Sequence, residues 1–342
     1  MTLQRRILIL VSAVVLLAAV GALAVVRAST RAEEKNRTRA GGPPVSRGEV
    51  SLDRGDAGAR IVFRNMAWGP HRDELATAAA TAPDGPRIAS GVRCLRFHSA
   101  AGTGICLQAV KGGVQDTYRA VVLDARLHEV SARPLAGIPT RARVSPGGRL
   151  AAWTVFVGGD SYAGTNFSTR TSLLDLRTGR FDASLEDFAI RKDGKAYRDA
   201  DVNFWGVTFA ADERTFYATL ATGGRTHLVR GDVVERTVTT LRENVECPSL
   251  SPDGTRLVFK KRVPGLSADA PWRLYALDLA SMRETPLAED RSVDDQVVWR
   301  DGRTVVYSLP GDFGADLYTV PADGTGAPAR LMASALAPAF LG

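Results

Sequence analysis

Residues 246–260 read ECPSLSPDGTRLVFK, and this stretch decides the fold. An alternating run ends at Leu250, Ser-Pro-Asp-Gly occupies 251–254, and Arg256-Leu257-Val258-Phe259 begins a second run. Pro252 presets φ for a turn and Gly254 accepts the positive φ that follows, so the unit predicts strand, tight turn, strand. After a loop, WRLYALDLASMRETPLAE (272–289) supplies a third strand ending at Asp278 and a fourth, more polar one. Variants recur as RARVSPGGRLAAWTVFV (141–157), FWGVTFAADERTFYATL (204–220) and VVWRDGRTVVYSL (297–309). CLRFHSAAGTGICLQAV (94–110) has the same hairpin shape with a different turn, expected at 99–101.

The apolar residue closing each first strand falls at Phe97, Val144, Phe209, Leu250, Trp299 and Phe340, at intervals of 47, 65, 41, 49 and 41 residues. Propeller blades repeat every ~40–50 residues with four strands each. The long interval carries an insertion near 184–201. RIVFR (60–64) is a second-strand sequence with no first strand before it, and 335–341 is a first strand with no second after it. Their pairing is expected to close the ring, which removes exposed strand edges. Third strands also count to six, beginning near 74, 118, 171, 226, 274 and 316. The reading is all-β: a six-bladed β-propeller over 59–342, preceded by one N-terminal transmembrane helix.

That helix is expected at 7–26, ILILVSAVVLLAAVGALAVV, twenty residues without a charge behind a short basic n-region at 1–6. Twenty helical residues span ~30 Å, the thickness of a bilayer core, and exceed the ~7–15 apolar residues usual in a cleaved signal. An uncleaved signal-anchor in the cytoplasmic membrane is therefore favoured over secretion after cleavage. Residues 27–58, polar and rich in Gly and Pro, read as a flexible linker. Five basic residues follow the span within fifteen positions, against the positive-inside rule for an exported domain. Long domains translocate largely regardless of such charge, so the propeller is expected on the extracytoplasmic side.

The net charge of +7 does not mark a nucleic-acid binder. Residues 1–47 hold eight Lys/Arg and two acids, leaving 36 basic and 35 acidic residues in the rest. A phosphate-binding face needs a sustained basic excess.

At SPDG followed by YALDL the sequence resembles the TolB-like six-bladed β-propellers of the bacterial envelope, built from WD-type repeats. The resemblance covers about 59–342 and is strongest in 246–280 and 297–330. It implies a propeller that binds. Such repeats also occur in propellers of prolyl-oligopeptidase-type enzymes, which need a hydrolase domain of a few hundred further residues. TolB proper carries an α/β domain ahead of its propeller, for which 27–58 offers no counterpart, so its lipoprotein partner is not carried over.

Cys94 and Cys106 are expected on facing strands of one hairpin, as a disulfide or as two buried thiols; Cys247, aligned with Cys94 in the repeat, reads as a core residue. The four histidines, His71, His98, His128 and His227, lack the spacing of a metal site, and no cofactor is expected. GGDSYAG (158–164) only approaches the G-x-S-x-G elbow and sits between propeller strands, against Ser161 as a nucleophile. The paired acids at 294/295, 199/201 and 312/316 lack the calcium-loop pattern and read as turn carboxylates. Two second-to-third-strand loops are long, 157–169 and 262–272. Function concentrates on such loops, so Asp160, Tyr162, Asn166, Phe167 and Trp272 are candidates for a recognition surface at a channel mouth; tolerated insertions are the competing reading. The expected function is a non-catalytic, envelope-associated binding or scaffold protein recognising a protein, peptide or glycan. The alternative is a metal-dependent hydrolase or lactonase-type propeller.

Overall fold

The structure, a computed structural model, describes residues 2–37, 42–53, 58–112, 115–162 and 167–341. Six sheets surround a central channel, as the repeat count predicts. From the axis outward, blade one is Ala335–Leu341, Arg60–Asn65, Glu74–Ala79 and Arg87–Arg93. Blade two is Arg96–Ala100, Thr103–Val110, Thr117–Leu123 and Glu129–Leu135, and blade three is Ile138–Val144, Leu150–Gly158, Ser168–Asp175 and Phe181–Asp182. Blade four is Asn203–Phe209, Thr215–Thr222, Arg225–Asp232 and Thr237–Glu243. Blade five is Glu246–Leu250, Arg256–Arg262, Trp272–Asp278 and Glu284–Pro286. Blade six is Val298–Trp299, Thr304–Gly311, Gly314–Pro321 and Ala329–Met332. The insertion in the long repeat adds a hairpin, Ala189–Lys192 and Lys195–Tyr197, to the outer edge of blade four.

Turn chemistry sets each unit. The Asp253 carboxylate accepts from the Thr255 amide (3.0 Å) and hydroxyl (2.8 Å), while Gly254 sits at φ +73°. Where blade four replaces the glycine, Asp212 accepts from the Arg214 and Thr215 amides, and Glu213 takes φ +54° itself. Apolar faces of neighbouring sheets then meet. Phe204, Phe216 and Leu220 of blade four pack with Leu150 and Leu173 of blade three, and similar clusters fill the other interfaces between blades. Each fully buried Phe or Leu contributes roughly 1.5–3 kcal/mol.

The ring closes where Ala335–Leu341 runs antiparallel to Arg60–Asn65, with Ile61 opposite Phe340 and Asn65 opposite Ala335. A fully buried Arg87 bolts this seam. Its guanidinium donates to Asn65 Oδ1 (3.0 Å), to the Ser334 carbonyl (2.7 Å) and to the Ala333 carbonyl, above the Phe63 ring. Burial without a direct carboxylate partner pushes the Arg87 pKa down to about 10.

The N-terminal helix runs Leu3–Asn36, and its Leu3–Arg31 part is long and apolar enough to cross a membrane. It outruns the expected 7–26 because Arg31, Glu33 and Glu34 are good helix formers that extend an existing helix at little cost. The expected linker is also shorter than 27–58. Val45–Arg47 pairs parallel to Arg87–Ala89, and Val50 and Leu52 are buried against blades one and two.

Cys94 and Cys106 form a disulfide with Cα atoms 5.4 Å apart. The register differs from the one expected. The hairpin turns at Ala101 (φ +48°) and Gly102 (φ +74°), a two-residue turn that sets Phe97, not Cys94, opposite Cys106. Cys94 precedes the strand, and the bridge ties the incoming segment to it. Cys247 is buried and unbridged.

Candidate functional site: two unequal ends of the channel

Strand direction sorts the loops. First-to-second-strand turns lie on one face, here the turn face. Second-to-third-strand loops and the connections between blades lie on the other, here the loop face.

On the loop face the described parts of the two long loops, 157–162 and 263–271, are largely exposed, but the rings of Tyr162 and of the adjoining Trp272 turn inward. Tyr162 and Trp272 are only 1% and 2% exposed. Tyr162 reaches across to blades four and five: its ring packs on Phe156, Phe167 and Trp205, and its carbonyl accepts from Arg262 of blade five (2.6 Å). Trp272 donates from Nε1 to Glu246 (3.0 Å), and the same oxygen accepts from Arg262 Nε (2.7 Å). Lys260 Nζ lies 3.9 Å from the Trp272 ring centroid and 5.3 Å from that of Tyr162. Burial raises the Tyr162 hydroxyl above its usual pKa.

For two of the five candidate residues the expectation is corrected. Tyr162 and Trp272 offer no surface to a partner, because large rings in a loop gain more from joining a core than from facing water. Phe167 is half-buried in the same cluster, Asp160 is exposed at the rim, and Asn166 lies outside the described residues. Ser161 sits in this loop between two antiparallel strands and not on a strand-to-helix elbow.

Beneath the aromatic cap lies a charged layer that loop lengths do not reveal. Asp294 pairs with Lys260 (2.7 Å) and lies 3.7 Å from Arg141; Asp295 lies 3.6 Å from Arg141 and 3.4 Å from Arg96. Partial desolvation works against the charge of Asp294, over half of whose side chain still meets water, but Lys260 and Arg141 outweigh it and hold the pKa at about 2. β-Bulges on the inner strands of blades four, five and one fall at one repeat position, with Gly206, Cys247 and Ala337 all at positive φ. Bulges of this kind re-aim side chains near sites. Gln296, at the same position in blade six, donates to the Pro248 carbonyl (2.7 Å) and so ties blades five and six at the axis. The free space here is ≈ 30 Å³, about one water.

The turn face is different. There the channel widens to a funnel of ≈ 320 Å³ walled by Val144, Phe209, Leu250 and Trp299, with Pro146 and Pro252 exposed on its rim. Its turns are locked to one another: Glu213 of blade four accepts from the Gly147 amide (2.6 Å) and the Ser145 hydroxyl (2.5 Å) of blade three. The Trp299 indole donates to the Ser249 carbonyl (3.0 Å). At the base stand His98 and Arg143, which line both the funnel and the smaller space below it. The sequence signal for them was a charged or imidazole side chain on an inner strand, next to the closing residues Phe97 and Val144. A wider polar groove of ≈ 790 Å³ lies outside the ring, between residues 48–53 and blades one and two.

Fold and channel define a six-bladed, TolB-like β-propeller with one capped end and one open end. The crystal structure of TolB from Acinetobacter baumannii is similar, with TM-score 0.52 and 19% identity over 84% of this chain and 67% of that one. A chain of a nidogen/laminin complex matches with TM-score 0.54 and 9% identity, over 83% of this chain and 98% of that one. A puromycin-hydrolysing peptidase from Mycobacterium tuberculosis gives TM-score 0.49 and 17% identity, over 81% of this chain and 44% of that one. At these identities the likeness is one of fold. No family model and no curated protein matches the chain.

Proposed function

We propose that this chain is a membrane-anchored binding propeller of the bacterial envelope that recognises a protein, peptide or glycan partner on its turn face. The observation that carries the reading is the funnel: a preformed, mostly apolar recess with locked rims, of the size at which ligand pockets begin. Rigid rims reduce the ordering cost of association. On the loop face Glu246, Asp294 and Asp295 are engaged with Arg262, Lys260, Arg96 and Arg141. The hydrolase alternative needs His, Cys, Asp or Glu side chains converging on a metal, and no group of three does so among the described residues.

The disulfide favours an oxidising compartment, and with the N-terminal helix it supports placing the propeller outside the cytoplasm. Protease added to intact spheroplasts then degrades the propeller; full protection contradicts that placement. Affinity capture from envelope extracts with the full chain tests the binding reading. A Pro146→Glu/Pro252→Glu variant, with two charges on the exposed funnel rim, loses the partner. Asp160→Lys on the opposite face retains it. The reverse pattern contradicts the assignment of the turn face.

A further inference from the structure

Charge along the axis does not balance. Arg96, Arg141 and Arg143 line the channel and Lys260 joins them through Asp294, while Asp294 and Asp295 are the acids placed among them. The pairs described above engage Arg96, Arg141 and Lys260. Arg143 is left over. It is 7% exposed, its Nε has no partner, and its one hydrogen bond among the described residues is to the Val297 carbonyl at 3.2 Å. No carboxylate among the described residues lies within ion-pair distance of it, and burial, against the weaker pull of Asp295, pushes the Arg143 pKa down to about 10.

His98 stands beside it. Its Nδ1 accepts from the Val144 amide (3.1 Å), so in the neutral ring Nε2 carries the hydrogen. Burial and the neighbouring Arg143 charge keep that ring neutral, well below its usual pKa. The base of the funnel therefore presents donors, and the side chains on its walls are mainly apolar. Asp253, the acid at the rim, is already occupied by Ser251 and Thr255 within its own turn.

We propose that the funnel binds an apolar ligand through its carboxylate, with Arg143 and the Nε2–H of His98 as the recognising donors. This rests on the turn face being the binding face and narrows the partner chemistry. A planar, singly charged carboxylate matches a guanidinium fork plus one further N–H. A phosphate brings a third oxygen and a second charge that two donors do not satisfy. The hydroxyls of a glycan would meet Val144, Phe209, Leu250 and Trp299 with few groups to pair. The shared chemistry has two sources, the C-terminal end of an apolar peptide or a small apolar acid.

Isothermal titration of the full chain in lipid nanodiscs, with empty nanodiscs as the blank, tests this. The probes are N-acetyl-Ala-Val-Leu with a free C-terminus, the same peptide as its C-terminal amide, and hexanoate. The free acid is expected to bind at least tenfold more tightly than the amide. In Arg143→Gln that preference disappears, while thermal stability stays the same or rises because an unpaired buried charge is gone. Arg143→Lys keeps a cation and retains part of the preference, which separates recognition from misfolding. Tighter binding of the peptide acid assigns a chain terminus; tighter binding of hexanoate assigns a small acid. Equal binding of acid and amide, or no binding of either carboxylate, overturns the proposal. The turn-face reading still stands in that case if the rim variant loses its partner.

Discussion

Truncating Trp272 separates a structural aromatic cap from a recognition surface. The ring is 2% exposed, its Nε1 donates to Glu246, and Lys260 Nζ sits 3.9 Å from its centroid. Removing a buried Trp costs about 3–5 kcal/mol through lost transfer energy and the cavity left behind. A desolvated cation–π contact adds up to about 2 kcal/mol. Because these contributions overlap, Trp272→Ala is expected to lose about 4–6 kcal/mol. In a domain of this size each kcal/mol lowers Tm by about 2–4 °C, so the variant should melt some 10–20 °C early. Trp272→Phe keeps much of the apolar contact but leaves Glu246 with Arg262 alone; its expected loss is about 1–2 kcal/mol. Differential scanning calorimetry and urea unfolding read both. An alanine variant that melts within 2 °C of the parent and yet loses its partner would make Trp272 a contact residue and refute the cap.

Replacing both Cys94 and Cys106 with Ser opens a bridge spanning 12 positions; the urea midpoint should fall by the equivalent of about 2–3 kcal/mol, with no change if the reduced chain already holds that register. Arg87→Met removes the three guanidinium hydrogen bonds at the seam and should cost about 3 kcal/mol, with hydrogen exchange rising first in 60–65 and 335–341; uniform exchange across all blades would deny the seam its role. Asp175, almost fully buried against Arg149, and Asp294 are both held at about 2, below the unfolded carboxylate value. Their contribution is present above about pH 4 and lost as pH falls towards 2. Asp175→Asn should flatten that acid limb more than Asp294→Asn, since water reaches over half of the Asp294 side chain and screens its pairs.

The architecture was legible because its determinants are local. Ser-Pro-Asp-Gly and its relatives mark each first hairpin, and the spacing of Phe97, Val144, Phe209, Leu250, Trp299 and Phe340 counts the blades without any knowledge of contacts. The site was less legible. A long loop looks the same in sequence whether its rings project or turn inward, and only the number of rings at Phe156, Tyr162, Phe167 and Trp272 hinted that they turn inward. Register at Cys94 depended on whether Ala101 would accept positive φ, which composition does not say. The end of the linker was hidden for a similar reason: Val50 and Leu52 are two isolated apolar residues whose burial depends on a surface assembled from blades one and two. Arg143 and His98 belong to neighbouring repeats and converge only when six inner strands share an axis. Their place beside the closing residues Phe97 and Val144 was the available clue.

Hydrogen-exchange mass spectrometry of the full chain with and without its captured partner tests the central claim most directly. Binding at the open end predicts new protection in 144–148, 208–211 and 249–254, with exchange in 157–162 and 263–271 unchanged. Protection confined to 157–162 and 263–271, with the turn face unaltered, would contradict the account.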